Sequence, residues 1–519
     1  MTIVESKTNI SSLADNALKD GPVLLNIGAG ATGTNLLLSQ TEAIEEKWES
    51  QGRPDDFPVY TIIVADKSGT FGPGGPYGEN ESERALCNQE GCEQTKNRGY
   101  TTWLADNGHA SNEREAQDSF YRRRLFGNFL EETFHKTCIK IRESQLPIRI
   151  ITVAEDISEI DHQPTNIFSL KTQSDGTIKA DVVTAATGHQ FNNSLNGFRV
   201  YGSYFEPPFI AAPIQQSLGN RFYDPDTALF VRGTAQSFVD AVDELASAGY
   251  KGKFYAASRK KITPWERKPE THHNPFPGTD IYAYKPEFFC REVLESQDQW
   301  TYSDLEQLFL KEIKAVEKNP KWDVGHVLEA CGSDYFRALI TRRLNPEDKN
   351  RFNDLFNAVY ANPTAPRRFR LLQDFVDQGR LIYLKTPAEE ENFEYNPQLG
   401  RYAVSGLQDS NAPSHVDGIL NASKYARSVF GQDGTPYCET LKTPQQQGWL
   451  REHHKDSGVL EPGEQNIEGF FVAGPPLCSP GIWGNASSWL DTVTTGRKTV
   501  ERASDFWNKR SATLSAAIA

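Results

Sequence analysis

The chain has 519 residues, 38% of them hydrophobic and 24% charged, and its 55 Lys and Arg against 69 Asp and Glu give a formal net charge of −14. This length suits roughly two to four domains, each large enough to bury a core. An acidic chain offers no cationic field to phosphate backbones or anionic lipid, which argues against nucleic acid and membrane surfaces as main partners. The amino-terminal segment is polar and the sequence has no long apolar run, which predicts a cytoplasmic protein. The seven cysteines are scattered along the chain, which predicts reduced thiols.

Short apolar runs recur along the chain and predict the strands of an α/β fold. They lie at 23–27, 60–64, 148–153, 181–185, 228–231, 254–256, 381–384, 418–420 and 470–473. Continuous rather than alternating runs are typical of strands covered on both faces, as in parallel sheets. Between about 286 and 370 the spacing becomes helical and predicts a helical extension. A strand, glycine turn and helix near residue 28 recur near residue 233, which predicts two nucleotide-binding halves.

A glycine loop follows the first of these strands. Gly28, Gly30 and Gly33 stand in the spacing G-x-G-x-x-G between the run 23–27 and a helical continuation. In such a loop the first glycine permits a tight turn, the second lets a pyrophosphate approach, and the third lets the helix pack on the strand. The context therefore favours dinucleotide binding. Asp66 ends the next strand and is predicted to bind the adenosine ribose, although it follows Gly28 by 38 residues where about 20 are usual.

The residues after Asp66 form the most distinctive segment of the sequence. Residues 66–78 contain five glycines and two prolines, which predicts a rigid loop whose backbone can lie along a flat ring or a phosphate. From about residue 22 to residue 500 the chain resembles FAD-NAD(P)-binding proteins related to flavin-dependent N-hydroxylating monooxygenases, with aspartate N-monooxygenase-like and urate hydroxylase-like members. The resemblance rests on the glycine loop, the run 66–78, Ala85-Leu86-Cys87-Asn88-Gln89, the segment 123–130, Ala186-Thr187-Gly188-His189, Gly474-Pro475-Pro476 and Gly481-Ile482-Trp483.

This resemblance implies a flavoprotein with two dinucleotide-binding domains. Residues 1–200 and 401–519 are expected to form the FAD domain, and 201–400 an inserted NADPH domain that carries the helical extension. Val153 would meet the adenine through its backbone, and Asn88 and Gln89 would lie near the isoalloxazine as the catalytic residues. The implied FAD contacts are Gly28, Gly30, Ala31, Thr32, Gly33, Asp66, Lys67, Phe71, Gly74, Gly75, Tyr77, Arg123, Val153, Ala186, Thr187, Gly188, Gly474, Pro475, Gly481 and Trp483.

The second glycine turn departs from this pattern. Ala235 stands where the family usually has glycine, and its methyl group is expected to crowd a pyrophosphate, next to the turn at Gly233. Ser258, Arg259 and Lys260 follow the next strand, where cations would hold the 2′-phosphate of a cofactor, so the sequence predicts NADPH rather than NADH. Arg232 either adds a phosphate contact or obstructs the site.

Two other residue pairs suggest different chemistry. His272 and His273 are adjacent, but no cysteine or carboxylate pair stands at ligand spacing, so no metal site is predicted. Cys87 and Cys92 have the C-x-x-x-x-C spacing of flavin disulfide reductases, in which the first cysteine follows a Gly-Gly turn directly. Cys87 instead lies twelve residues after Gly75, which favours two ordinary thiols and leaves a redox-active dithiol as an alternative.

Catalysis is assigned to the cofactors because no motif of a side-chain nucleophile with its base is found. The resemblance implies that NADPH reduces FAD, that reduced flavin captures O₂, and that a C4a-hydroperoxide hydroxylates a small-molecule substrate, with an amine nitrogen the favoured position. Arg98, Arg367, Arg368 and Arg370 are candidates for binding a substrate carboxylate. A dithiol reductase and a non-catalytic flavoprotein sensor or redox partner stay open as alternatives, and a homo-oligomer is compatible with the sequence.

Overall fold

A computed structural model of the protein describes most of the chain, with gaps. The described residues are 2–3, 7–79, 81–87, 91, 99–188, 203–205, 209–258, 263–266, 300–317, 324, 327, 344–360, 363–386, 388, 390–422, 439–452, 460–465, 467–474 and 486–518. The chain divides into two compact units. Unit 1 comprises Met1–Glu79, Arg124–Ser194 and Tyr425–Ala519, and unit 2 comprises Asn80–Arg123 and Leu195–Lys424.

Unit 1 is built on a six-stranded parallel sheet. Its strands, in spatial order, are β1 (Thr2–Ile3), β4 (Ile148–Val153), β3 (Tyr60–Ala65), β2 (Val23–Ile27), β8 (Val182–Ala185) and β21 (Phe470–Val472). Strands β2, β3 and β8 are buried along their whole length, as expected of a parallel sheet covered on both faces. The α/β class with parallel sheets that the sequence predicts is therefore confirmed.

Helices and two small antiparallel sheets complete unit 1. The helices are α1 (Lys7–Asp20), α2 (Ala31–Ser50), α5 (Arg123–Glu143, mostly in this unit), α11 (Glu439–Gln446) and α12 (Ala486–Ile518). The antiparallel strands are β5 (Ile157–His162), β6 (Phe168–Thr172) and β7 (Thr177–Ala180) in one sheet, and β19 (Leu450–Glu452) and β20 (Leu460–Pro462) in the other. A buried polar chain from Asn26 through Gln40 to Thr499 joins β2, α2 and α12, with distances of 2.8 and 3.0 Å between the bonded side-chain atoms.

Unit 2 is built on a five-stranded parallel sheet. Its strands, in spatial order, are β14 (Leu381–Leu384), β11 (Lys253–Ala257), β10 (Ala228–Arg232), β18 (Gly418–Asn421) and β9 (Tyr204–Phe205). The smaller sheets comprise β15 (Phe393–Asn396), β16 (Arg401–Val404) and β17 (His415–Val416), which are antiparallel, and the parallel pair β12 (Trp265–Glu266) and β13 (Pro363–Thr364). The helices are α3 (Tyr100–Asp106), α4 (Glu113–Asp118), α6 (Ala211–Leu218), α7 (Gln236–Ser247), α8 (Tyr302–Glu317), α9 (Pro346–Tyr360) and α10 (Pro366–Asp377).

Helices α8 and α9 lie in the part of the chain where the sequence predicts a helical extension. They share a small core of their own, in which Phe309 and Phe352 have ring centroids 5.9 Å apart and Trp265 is also buried. None of the helices in the described ranges is long and apolar enough to cross a membrane.

The two units repeat one architecture. In unit 1 the order β4-β3-β2-β8 corresponds to β14-β11-β10-β18 in unit 2, which is the 3-2-1-4 order of a dinucleotide-binding half. In both units a three-stranded antiparallel sheet connects the third strand to the fourth. The duplication that the sequence shows around residues 28 and 233 thus extends over the whole of each half.

A buried aspartate at the same position of each half strengthens this equivalence. Asp181, just before β8, accepts a hydrogen bond from the Val23 backbone N–H at 2.8 Å and pairs with Arg510. Asp417, just before β18, accepts one from the Ala228 backbone N–H at 2.9 Å and pairs with Arg401 at 2.6 Å and Arg221 at 3.0 Å. Each carboxylate therefore ties the first strand to the fourth.

Asp417 makes unit 2 sensitive to acid. Burial acts to raise the pKa of Asp417, but hydrogen bonds from Arg401 and the Ala228 N–H, with the charges of both arginines, lower it overall. A carboxyl group with a lowered folded-state pKa stabilises the fold above its unfolded pKa and loses that contribution as the pH falls. We expect the free energy of unfolding to drop below about pH 4.

Urea unfolding from pH 7 to pH 3 tests this expectation. Asp417→Asn should destabilise the protein at pH 7 by about 1–3 kcal/mol, because two partly exposed arginines lose a charged hydrogen-bond acceptor, and should flatten the decline in acid. The control Asp226→Asn removes an exposed carboxylate and should change stability by no more than about 0.5 kcal/mol at pH 7. Equal acid dependence in Asp417→Asn and wild type would contradict the assignment.

Candidate cofactor sites

The first glycine loop lies at the carboxyl end of the parallel sheet of unit 1. Gly28 has a φ of 103° and donates its N–H to the Ala65 carbonyl at 2.7 Å, which turns the chain from β2 into α2. A Cβ on Gly33 would stand 2.0 Å from the Gly28 carbonyl oxygen, so only glycine lets α2 approach this turn. Gly30 occupies the N-cap of α2, and having no side chain it leaves the first-turn N–H groups facing outward for an anion.

Asp66 fastens this loop to the second strand. One carboxylate oxygen accepts the Ala29 N–H at 2.7 Å, and the other accepts the Ser68 N–H at 2.9 Å and its hydroxyl at 2.6 Å. The Asp66 N–H in turn donates to the Val153 carbonyl at 2.9 Å. A carboxylate has about four acceptor positions, so a ribose hydroxyl can still bind, and the predicted ribose and adenine contacts lie side by side.

The glycine-rich run after Asp66 is held between the glycine loop and α5. Gly72 donates its N–H to the Ala29 carbonyl at 2.8 Å, and a Cβ on Gly74 would stand 2.8 Å from the Gly30 Cα. On the other side, a Cβ on Gly127 of α5 would stand 2.0 Å from the Tyr77 carbonyl oxygen. The glycines thus allow close approach of protein backbone on both sides of the run.

Two aromatic residues of the run pack against α5. Phe71 stacks on Phe134 with ring centroids 5.4 Å apart, and Tyr77 meets Phe126 edge-on at 5.0 Å. Lys67, by contrast, is exposed, and a Cβ on Gly75 would meet no atom of the described residues within 4 Å. Phe71 and Tyr77 therefore help to hold the run, and any cofactor contact from either residue is additional to this packing.

The ends of β8 and β21 bring further predicted residues to the same edge of the sheet. Ala186 donates its N–H to the Ile27 carbonyl at 2.8 Å, and Ala473 donates to the Ala185 carbonyl at 2.9 Å. Gly474 has a φ of 86°, and a Cβ there would stand 2.6 Å from the Thr32 hydroxyl oxygen in the first turn of α2. Of the remaining predicted residues of unit 1, Ala31 adjoins Thr32, and Thr187 and Gly188 follow Ala186.

Some predicted site residues lie outside the described part of the chain. These are Asn88, Gln89, Cys92, Arg98, His189, Arg259, Lys260, His272, His273, Pro475, Gly481 and Trp483. The predicted catalytic pair is among them, as are two of the three residues predicted to hold a 2′-phosphate.

Arg123, a predicted FAD contact, belongs to an ionic cluster within unit 2. Its guanidinium donates to an Asp240 carboxylate oxygen at 2.8 Å and to the Leu86 carbonyl at 3.0 Å, and lies 3.7 Å from Glu81. Burial raises the pKa of Glu81, although the charge of Arg123 acts in the opposite direction. This pairing anchors the segment before α5, and a cofactor contact by Arg123 stays a prediction.

The same cluster contains Arg368, one of the candidates for binding a substrate carboxylate. Its guanidinium donates to Asp243 at 3.0 Å and to Asp240 at 2.7 Å, and only 3% of its side chain is exposed. Arg367, its neighbour, is 73% exposed and lies 3.5 Å from Asp243. Arg368 therefore has a structural role that its sequence context does not reveal.

Cys87 is unsuited to a redox-active dithiol. Its side chain is buried, and burial raises the pKa of the thiol to about 12 despite the nearby positive charge of Arg123. The thiolate is the reactive form of cysteine, and a pKa this high leaves Cys87 protonated at neutral pH. This finding disfavours the dithiol alternative.

The second glycine turn, in unit 2, matches the first in its backbone. Gly233 has a φ of 109° and donates its N–H to the Ala257 carbonyl at 2.7 Å, as Gly28 does to Ala65. Ala235 is the N-cap of α7 with φ −90° and ψ −164°, close to φ −70° and ψ −162° at Gly30. Its methyl group therefore needs no strained backbone. Buried Phe238 takes the position of Gly33.

Comparison with known proteins agrees with this geometry. A family model described as FAD-NAD(P)-binding matches residues 26–190. No curated protein matches the chain. The family match covers the first glycine loop, Asp66, the glycine-rich run, β4 and β8.

Several solved structures are similar at low identity. One is the L-lysine 6-monooxygenase from Pseudomonas syringae, at 14% identity and a TM-score of 0.48, with 92% of this chain and 99% of that chain covered. Another is the cadaverine monooxygenase of desferrioxamine biosynthesis from Erwinia amylovora, solved with FAD, at 11% identity and a TM-score of 0.48, with 92% and 93% covered. The family match, together with the geometry of the glycine loop, identifies residues 26–190 as a FAD-NAD(P)-binding domain.

Proposed function

We propose that this chain is a FAD-dependent monooxygenase that consumes NADPH and hydroxylates a small substrate at an amine nitrogen. Unit 1 would hold FAD and unit 2 NADPH; this division departs from the expected bounds of 1–200, 201–400 and 401–519, because unit 2 also includes Asn80–Arg123 and extends to Lys424. O₂ and a small amine or amino acid would be the co-substrates. The observation that carries the proposal is the repetition of one dinucleotide-binding architecture in both units.

The geometry of unit 1 fits FAD. The first turn of α2 presents N–H groups to an anion beside Gly30, which suits a pyrophosphate. Asp66 and the Val153 backbone stand at the ends of the second and third strands, where the adenosine of a dinucleotide lies. Gly474, which follows β21 beside the fourth strand β8, closely approaches Thr32 in the first turn of α2. The carboxyl-terminal part of the chain therefore contributes to the same edge of the sheet.

The geometry of unit 2 supports a second dinucleotide site. Gly233 repeats the turn of Gly28, and the conformation of Ala235 matches that of Gly30. In unit 1 a Cβ at Gly30 would point at Gly74, 3.2 Å away. A methyl at the equivalent Ala235 is therefore compatible with a nucleotide, which speaks against a disabled second site.

Bound FAD would supply the chemistry, by accepting a hydride from NADPH and activating O₂. The chain would bind and orient both cofactors and exclude water from the reacting centre. Asn88 and Gln89 remain the proposed catalytic residues, and their amide groups could donate or accept hydrogen bonds at the reacting atoms. The amine as substrate rests on the resemblance of the sequence motifs.

Anaerobic titration of the purified FAD-loaded protein with NADPH tests the cofactor part of this proposal. We expect the visible flavin absorbance to bleach within minutes. Gly233→Val should bind FAD as the wild type does but bleach at least about 10-fold more slowly, because a side chain is disfavoured at positive φ. Dithionite should bleach both proteins equally. Dithionite bleaching without any NADPH bleaching of the wild type would overturn the proposal.

A screen of amines and amino acids tests the reaction. Coupled NADPH and O₂ consumption with hydroxylamine formation from one substrate is the expected result. A matched screen of the corresponding alcohols and ketones serves as the control. Coupled turnover of a ketone with no hydroxylamine from any amine would replace N-hydroxylation by oxygen insertion at carbon.

A further inference from the structure

Arg232 occupies an unusual place in the second dinucleotide-binding half. It ends β10 directly before Gly233, and in the parallel register it stands opposite Ala257 of β11. Its Nε donates a hydrogen bond to the Ala388 carbonyl at 2.9 Å, in the segment that follows β14. Since β11 lies between β10 and β14, the half-buried Arg232 side chain extends across the carboxyl end of β11.

The equivalent place in unit 1 indicates which part of a bound dinucleotide would adjoin the carboxyl end of β11. Gly28 bonds to the Ala65 carbonyl and Gly233 to the Ala257 carbonyl, each at 2.7 Å. The residue after Ala65 is Asp66, and the residue after Ala257 is Ser258. In a dinucleotide-binding half this position adjoins the adenosine ribose, where a carboxylate binds a 2′-hydroxyl and an arginine binds a 2′-phosphate. At this position unit 2 has Ser258 in place of the carboxylate, and the Arg232 side chain extends across the end of the same strand.

We propose that Arg232 binds the 2′-phosphate of NADPH, together with Ser258, and so determines the cofactor specificity of unit 2. This inference rests on the proposed function. The bond to Ala388 holds the side chain on the β14 side of β10, across the end of β11, whereas the pyrophosphate of a dinucleotide-binding half lies at the first turn of the helix after the glycine turn, here α7. Arg232 is therefore placed to read the adenosine end of the cofactor and not to obstruct the glycine turn.

Binding of 2′,5′-ADP and 5′-ADP to the full FAD-loaded protein, measured by calorimetry, tests the proposal. Arg232→Ala should weaken binding of 2′,5′-ADP about 10- to 100-fold, the usual effect of losing charge-assisted hydrogen bonds. Binding of 5′-ADP should change by less than about 2-fold, because it lacks the 2′-phosphate. The affinity of Arg232→Lys for 2′,5′-ADP should lie between those of the wild type and Arg232→Ala, since lysine keeps the charge but lacks the planar guanidinium.

Arg380 provides a matched control. It lies before β14 at the amino end of the same sheet, and its guanidinium also donates to backbone carbonyls, of Gly252 at 3.3 Å and Tyr250 at 2.8 Å. Arg380→Ala removes the same charge from the opposite edge and should leave the ratio of the two affinities unchanged. Circular dichroism and thermal unfolding of each variant would show whether it is folded.

The outcomes separate this inference from the proposed function. An equal loss of affinity for both ligands in Arg232→Ala, or no change in either affinity, would overturn the role of Arg232. Neither result would contradict the proposed NADPH site in unit 2. Tighter binding of both ligands would show that Arg232 obstructs the site, which also overturns the inference. A wild-type protein that binds neither ligand and is not bleached by NADPH would overturn the proposed function itself.

Discussion

Gly33→Ala is expected to produce a protein that has largely lost FAD. The added Cβ would stand 2.0 Å from the Gly28 carbonyl oxygen, and since both atoms belong to the main-chain framework, no rotamer change can relieve the contact. Helix α2 must then move away from the turn, at a cost of about 1–3 kcal/mol. Its first-turn N–H groups move with it, and we expect the Kd for FAD to rise about 10- to 100-fold.

Gly52→Ala is the control for this variant. Gly52 follows the other end of α2 and has a φ of 79°, and among the residues that the structure describes no atom lies within 4 Å of a Cβ placed there. Its substitution should cost about 1–2 kcal/mol through backbone strain and should leave FAD binding unchanged. FAD titration of each apoprotein, with circular dichroism to verify folding, makes the comparison. Gly33→Ala binding FAD as tightly as Gly52→Ala would refute the role assigned to the close contact.

Arg368→Met is expected to have the largest effect on the stability of unit 2. Arg368 is 3% exposed and pairs with Asp243, which is also 3% exposed, and with Asp240. Its removal leaves the buried Asp243 carboxylate without its main partner, whereas Asp240 keeps Arg123, and breaking such a buried pair typically costs about 3–5 kcal/mol. The methionine keeps most of the apolar bulk, so the loss should come from the charge and its hydrogen bonds. Urea unfolding at pH 7 measures the change.

The neighbouring residue supplies the control. Arg367 is 73% exposed and 3.5 Å from Asp243, and an exposed pair contributes no more than about 1 kcal/mol. Arg367→Met should therefore leave the unfolding midpoint close to that of the wild type. If Arg368→Met unfolded like the wild type but showed a raised KM for an amino-acid substrate, Arg368 would be a substrate-binding residue and its structural role would be wrong.

Several features could be predicted from the sequence because their physical causes are local. The turn at Gly28 needs a positive φ, the next glycines stand within a few residues of it, and the flanking apolar run is a buried strand. The run 66–78 could be recognised as a rigid loop in the same way. The recurrence of a strand and a glycine turn at Gly233 was enough to predict that unit 2 repeats the architecture of unit 1. The matching strand orders of the two sheets confirm this repeat.

The pairings that give these segments their roles join residues distant in the sequence. Gly127 in a helix signals a close approach, but only the structure shows that its partner is the Tyr77 carbonyl and not a cofactor. From the sequence Arg368 is a candidate for binding a substrate carboxylate, but its partners in the structure, the Asp243 carboxylate and the Arg84 carbonyl, lie 125 and 284 residues away along the chain.

The sequence by itself determined the α/β class, the first dinucleotide loop and the repeat, since backbone conformation and apolar periodicity are properties of neighbouring residues. Only the tertiary structure decided which charges are paired and buried and which backbones touch. In the fold Asp417 pairs with two arginines, Arg123 pairs with Asp240, and the Arg232 side chain extends across the end of β11. These outcomes depend on which strands and helices become neighbours in the fold, because desolvation and Coulomb interactions act over distances in space and not along the chain.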